Sequence, residues 1–314
     1  MAKLIALYLN PTKDLYQNIQ VLAPGTVSHA MSSGLETAGK PVNAARSGAI
    51  MGARALVLGF CGKAEFEETQ RDLAESDLAA MLFPLPGRSR ICVILSEKSG
   101  RETVVNSREG LSAGKATIRH LKTRLGRRAR KGDWVLSSGS LPPSLEPQEA
   151  AAFVRIAHER DALFALDQRG PALLAFLREK PDYVQANRLE YVRTFGWEPK
   201  NGRDVLRLLS RVRARGAETA AFLDGSRGAF LSAAEGHWRL RPPPLRARSS
   251  IGAGDAFMGG MLYGRCQGLS WPEALRWAGA AAAANVMSPG ACRFRRALAL
   301  RYYPRCRIER LKTQ

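Results

Sequence analysis

The feature that most constrains this chain is an alternation. Short, mostly apolar runs of strand-forming residues are separated by stretches with helical spacing through most of its 314 residues. The runs at 4–8, 55–60, 134–137, 163–166, 183–185 and 220–223 read as strands buried on both faces. Between them, 42–51, 147–158, 171–177, 204–212 and 256–265 have helix-like spacing or composition. Strands and helices in turn predict an α/β fold, a doubly wound and mostly parallel sheet flanked by helices. At this length such a fold forms one large domain with a small appendage.

Two segments break the series: 26–36, and 90–96 followed across 97–100 by 102–105. Their alternating side chains and turn residues read as strands or hairpins. They predict a small β-sheet lid built from about 12–40 and 86–108. No internal repeat is visible. Arg241-Pro242-Pro243-Pro244 is too short to link domains and instead stiffens the chain ahead of a glycine-rich turn.

Composition narrows the setting. Hydrophobic residues at 45% and charged residues at 24% can build a sizeable core. The N-terminal apolar stretch stops at Asn10-Pro11, short of a signal-peptide core, and no run is long and apolar enough to span a bilayer. A cytoplasmic protein without a membrane partner is expected, and the alanine-rich 278–286 reads as a tightly packed helix. Cys61, Cys92, Cys266, Cys292 and Cys306 are odd in number and lack metal-ligand spacing, which points to reduced structural thiols. The net charge of +20 raises the question of a nucleic-acid partner. Its densest clusters, 124–131 and a basic C-terminal tail over about 292–314, contain no nucleic-acid module. Solvated helix faces and a tail are expected there instead.

The chemistry gathers at Ser249-Ser250-Ile251-Gly252-Ala253-Gly254-Asp255, a loop of small residues leading into an apolar helix. Glycines let backbone N–H groups approach an anion, and a helix start adds roughly half a positive charge. Asp255 has two readings. It is a carboxylate placed to take the proton of an attacking hydroxyl, or an acidic residue that favours a helix start.

Ser250-Ile251-Gly252-Ala253-Gly254-Asp255-Ala256-Phe257, followed by Gly259-Gly260, resembles the C-terminal signature of the PfkB/ribokinase family of carbohydrate kinases. Further matches run in the family's order from Asn10 to about Gly290. The resemblance implies phosphoryl transfer from ATP, with Mg²⁺, to a hydroxyl. It makes Asp255 the general base and the backbone of Gly252, Ala253 and Gly254 the anion hole. Asn10-Pro11-Thr12-Lys13-Asp14 is similar to the branch that phosphorylates sugar phosphates, namely 1-phosphofructokinase, tagatose-6-phosphate kinase and a minor 6-phosphofructokinase. There Asp14 would bind sugar hydroxyls, while the residues alone also allow an Asx turn.

Ala38-Gly39-Lys40-Pro41-Val42-Asn43-Ala44-Ala45-Arg46 resembles the family's Gly-Gly-Lys-Gly-(Ile/Val)-Asn-x-Ala, so Gly39, Lys40 and Asn43 are expected to bind substrate. Ala38 and Pro41 replace two glycines, and Pro41 removes a backbone N–H. Ser89-Arg90-Ile91-Cys92-Val93 resembles the lid strand whose arginine grips the phosphate already on the sugar. His29 stands where that branch carries a fixed cation.

For the nucleotide half, Ser137-Ser138-Gly139-Ser140-Leu141-Pro142-Pro143 matches a strand-end loop in which Ser140 would bind substrate or simply make a turn. Asn187-Arg188-Leu189-Glu190 matches Asn-x-x-Glu, with Asn187 beside the nucleotide and Glu190 supporting the metal through water. Gly225 and Gly228 match a Gly-x-x-Gly-Ala turn near ATP. Leu223 and Gln185-Ala186 depart from the pattern, each losing a phosphate contact. The resemblance further implies a homodimer formed through the lid. Two alternatives stand beside the sugar-phosphate kinase: a kinase for an unphosphorylated sugar or nucleoside, and a catalytically weak sugar-phosphate or nucleic-acid binding protein.

Overall fold

The computed structural model describes residues 2–107 and 110–311; Arg108 and residues 312–314, the ends of the expected lid and tail segments, lie outside the described residues. The main sheet begins with β1 (Lys3–Tyr8), and the chain then leaves it for β2 (Thr12–Ile19) and β3 (Ala30–Ala38). It returns through α1 (Lys40–Met51), β4 (Arg54–Gly62), α2 (Phe66–Ala74) and β5 (Ala79–Leu85), then leaves again as β6 (Arg90–Glu97) and β7 (Glu102–Asn106). An alternating series follows: α3 (Lys115–Arg128), β8 (Trp134–Ser138), α4 (Pro147–His158), β9 (Leu163–Asp167), α5 (Gly170–Leu177), β10 (Tyr183–Asn187), α6 (Arg188–Phe195), α7 (Gly202–Ala214) and β11 (Thr219–Leu223). The chain ends with β12 (Ala229–Ala233), β13 (Gly236–Arg241), α8 (Ala253–Cys266), α9 (Trp271–Val286), α10 (Arg296–Tyr302) and β14 (Arg307–Leu311).

The large sheet has the order β14-β13-β12-β11-β10-β9-β8-β1-β4-β5. It is parallel from β5 to β11 and antiparallel from β11 to β14. Its central strands are apolar because both faces are covered: Leu4, Ala6 and Tyr8 face one layer of core, and Ile5, Leu7 and Leu9 the other. Helices α1, α8, α9 and α10 fill the first layer, and α3, α4, α5 and α7 the second. Strand order reverses beside β1, where chain connections run to opposite sides and open a crevice at the carboxyl ends.

The lid is a separate four-stranded sheet, β3-β2-β6-β7, with β2 parallel to β6. Its first strand starts at Thr12, immediately after β1, and its second covers 30–38 rather than 26–36.

The C-terminal basic segment is not a loose tail. Phe294, Ala299, Tyr302 and Cys306 are buried in the core, and β14 completes the sheet edge by pairing Ile308 with Leu240. Apolar residues interleaved with the arginines anchor it, while Arg307 and Arg310 stay exposed. The five cysteines are buried and unpaired. No helix among the described residues is long and apolar enough to cross a membrane.

Candidate active site

Helix α8 is set in place by its own glycines. A Cβ at Gly259 would collide with the backbone of Ala44 and Gly48 on α1, and one at Gly260 would come within 2.9 Å of Ala278 Cα on α9. The paired glycines after the signature therefore let three helices pack at backbone contact. At the start of α8, Gly252 has φ 72°, and a Cβ there would lie 2.9 Å from that of Ala291. The buried Asn285 clamps this turn, donating to the Ile251 carbonyl at 2.8 Å and accepting from the Cys292 N–H at 2.7 Å. No side chain among the described residues caps α8; the Ala253 N–H donates to the Ser250 carbonyl at 3.3 Å, while those of Gly254 and Asp255 have no partner among the described residues.

Asp255 lies in that first turn, buried. Burial pushes its carboxyl up to about 7, Lys40 and a hydrogen bond from Asn43 oppose the shift, and Asp167 and Asp14 add to it. The Asn43 Nδ2 group donates to Asp255 Oδ2 at 3.0 Å. Asp14, on the crevice face of lid strand β2, is also buried; burial and the nearby Glu36 raise it to about 6. Arg90 is level with Thr12 on the adjacent strand, and its Nε is a buried donor without a partner among the described residues.

Lys40 does not offer a free charge. Its ammonium is held at 3.0 Å by both Asp167 and Glu190, whose attraction outweighs burial and keeps it protonated. Glu190 is equally engaged. Its Oε2 accepts from the Asn187 N–H at 2.9 Å while Asn187 Oδ1 accepts from the Glu190 N–H at 2.9 Å, so Asn-x-x-Glu is the capping box of α6. Ser140 accepts from Asn10 Nδ2 at 2.8 Å, tying the β8 loop to the β1 loop. Gly39 has φ 100° and Gly139 φ 79°, the latter packing against Lys40 and Pro41.

At the β11 end, Gly225 and Gly228 have positive φ, and a Cβ at Gly228 would strike the Leu240 carbonyl. These glycines shape a turn pinned by Asp224, which accepts from Arg188 and Arg227. Gln185 donates to the Gly254 carbonyl at 3.0 Å and so fastens β10 to the glycine turn ahead of Asp255. Leu223 packs beside Gly254. His29 lies exposed in the loop before β3, away from this cluster.

Asp167 went unpredicted. It is buried at the end of β9, between Lys40 and Gln185, with its carboxyl raised by burial. An acidic residue closing an apolar parallel strand was the available signal. The lid contacts that close the crevice were also missed. Glu102 on β7 accepts from Ser249 Oγ at 2.5 Å, Ser250 N at 3.1 Å and Ser250 Oγ at 3.2 Å. On the opposite lid edge, Glu36 pairs with Arg293.

Thus a buried carboxylate, an open helix start and a polar lid face converge at the sheet's switch point. The family model of pfkB family carbohydrate kinases matches residues 5–296. The chain belongs to this family. It is a carbohydrate kinase of the pfkB type. Among its relatives, the 1-phosphofructokinase of Escherichia coli K12 is 31% identical over 88% of this chain and 89% of its own length. That of Vibrio cholerae is 29% identical over 92% and 90%. The solved phosphofructokinase-2 of Escherichia coli shares the fold with a TM-score of 0.90 at 22% identity, covering 97% of this chain and 99% of its own. Ribokinase of Arabidopsis thaliana superposes with a TM-score of 0.74 at 18% identity over 96% and 99%. The ribokinase-like fold, with its mostly parallel sheet and small second sheet, is that of pfkB kinases.

Proposed function

We propose that this pfkB kinase transfers the γ-phosphoryl group of ATP to a hydroxyl of a sugar phosphate, with fructose 1-phosphate the leading acceptor. The observation that carries this reading is Asp255, a buried carboxylate on an uncapped helix start, facing a lid that brings Asp14 and the unpartnered Arg90 Nε over the same crevice. Its 1-phosphofructokinase relatives support the acceptor.

In this reading Asp14, Gly39, Asn43 and Ser140 orient the sugar, and Arg90 holds its existing phosphate. Asp255 takes the proton of the acceptor hydroxyl, whose oxygen bonds to the γ-phosphorus as the bond to the β–γ bridging oxygen breaks and ADP leaves with that electron pair. The backbone of Gly252, Ala253 and Gly254 at the start of α8 faces the negative charge of the transferring group. Asn187 and the turn at Gly225 and Gly228 border the nucleotide.

No cluster of three metal-ligating side chains occurs among the described residues. Glu190 is the carboxylate that would support Mg²⁺ through water, an ion that keeps water and phosphate oxygens as ligands. When bound, the ion would offset charge on the ATP phosphates. Lys40 holds Glu190 and Asp167 together beside that position.

The lid's outer face supports a homodimer. One cross-strand row, Leu35-Leu15-Val93-Val105, is apolar, with Leu35 51% and Val105 56% exposed. An apolar sheet face of this kind is covered by a second copy.

The test is a panel pairing each sugar with its phosphate, assayed with ATP in wild type and Arg90→Ala. Loss in the variant confined to phosphorylated sugars supports the proposal. Preference of the wild type for unphosphorylated sugars or nucleosides overturns it.

A further inference from the structure

Arg46 on α1 is 1% exposed, yet none of its hydrogen-bond partners among the described residues is a carboxylate. Its Nη1 donates to Asn43 Oδ1 at 3.2 Å, its Nη2 to the Thr37 carbonyl at 3.0 Å and its Nε to Ser76 Oγ at 3.2 Å. Burying a cation on neutral acceptors is costly, so the placement calls for a reason. Guanidinium offers only donors, whereas an amide offers one acceptor and one donor face. With Arg46 on one side, Asn43 must turn its Oδ1 inward. Its Nδ2 is then forced toward Asp255, where it donates at 3.0 Å. Thr37, held by the same guanidinium, stands in β3 just before Gly39, where the lid joins α1.

We propose that Arg46 is a positioning residue for phosphoryl transfer, locking the Asn43 amide as a hydrogen-bond donor to Asp255 and anchoring the base and the lid hinge at one point. This rests on the reading of Asp255 as general base. Asp255 is faced by Lys40 and Asn43 from α1, Asp167 from β9, Asp14 from β2 and Cys292 from the loop after α9. Arg46 is faced by Glu36, Tyr16, Arg293 and Cys292. A donor favours the ionised carboxylate, so losing it raises the pH at which Asp255 titrates.

The experiment follows the Asp255 carboxyl directly by carbon-13 NMR titration, its signal assigned by absence in Asp255→Asn, together with the pH profile of kcat/KM. Arg46→Gln, which no longer dictates the amide orientation, and Asn43→Ala should each raise the Asp255 titration by about one pH unit and carry the acid limb of the profile with it. Arg46→Lys, still only a donor, should recover most of that shift. In an Asn43→Ala background, exchanging Arg46 for Lys should change nothing further.

An Asp255 titration unmoved in a folded Arg46→Gln protein overturns the proposal. If Arg46→Gln does not fold, a further shift of the Asp255 titration on exchanging Arg46 for Lys in the Asn43→Ala background overturns it instead. Failure of the general-base reading looks different: Asp255→Asn would keep its turnover while the NMR shift persists.

Discussion

Glu102 fastens the β7 edge of the lid sheet to the main domain. Its carboxylate receives three hydrogen bonds from Ser249 and Ser250, at 2.5, 3.1 and 3.2 Å, and so joins the lid edge to the residues just ahead of the anion turn. A hydrogen bond to a charged group contributes about 1.5–3 kcal/mol where water is excluded. Glu102 is half-buried and Ser250 exposed, so solvent screening brings the whole set to about 1–2 kcal/mol. Glu102→Ala should then shift the closure equilibrium by roughly tenfold. With Asp14 and Arg90 on the lid as proposed sugar-phosphate ligands, the loss should appear as a roughly tenfold rise in KM for the sugar phosphate, with the KM for ATP little changed. Steady-state kinetics with each substrate varied in turn would measure this. Glu36→Gln, breaking the opposite latch to Arg293, should act in the same direction, and the two effects should multiply if the edges close independently. A Glu102→Ala enzyme with unaltered kcat/KM for the sugar phosphate would refute the reasoning.

The titration of Asp255 makes two further predictions. With Asp255 as the proposed base, kcat/KM should fall as pH drops through about 7, the value to which burial raises this carboxyl. Its folded pKa lies above the unfolded value of 3.8, so its ionisation opposes folding, and its contribution to stability declines as pH rises from about 4 to about 7. Asp255→Asn should therefore melt above wild type at pH 8 and lose that advantage near pH 4, as read by thermal unfolding. Gly259→Ala should cost about 1–3 kcal/mol in urea unfolding, since its Cβ meets backbone of α1 rather than a movable side chain.

The main sheet was legible because its parallel strands are buried on both faces and their apolar runs are continuous. All six expected strands fall within β1, β4, β8, β9, β10 and β11, and the five expected helices within α1, α4, α5, α7 and α8. Strand β2 was not picked out by periodicity because its side chains serve three environments: Asp14 faces the crevice, Lys13 pairs with Glu68 and Asp72 of α2, and Leu15 faces outward. The C-terminal strand was hidden by its arginines, although Phe294, Tyr302 and Cys306 mark a buried face between them.

At the site, motif residues separated by two hundred positions do meet, as Asn43 and Asp255 show. What sequence could not supply was who neutralises whom. Lys40 proved to be spoken for by Asp167 and Glu190, and Gln185 proved to brace the anion turn. Such pairings depend on which strand ends become neighbours in the sheet, a long-range fact absent from any local pattern.

The most direct measurement is transfer of label from γ-³²P-ATP to fructose 1-phosphate under saturating substrates, in wild type and Asp255→Asn. The account predicts a labelled sugar bisphosphate from wild type and a rate lower by about a hundred- to ten-thousand-fold in the variant. Near-wild-type transfer by Asp255→Asn would contradict it.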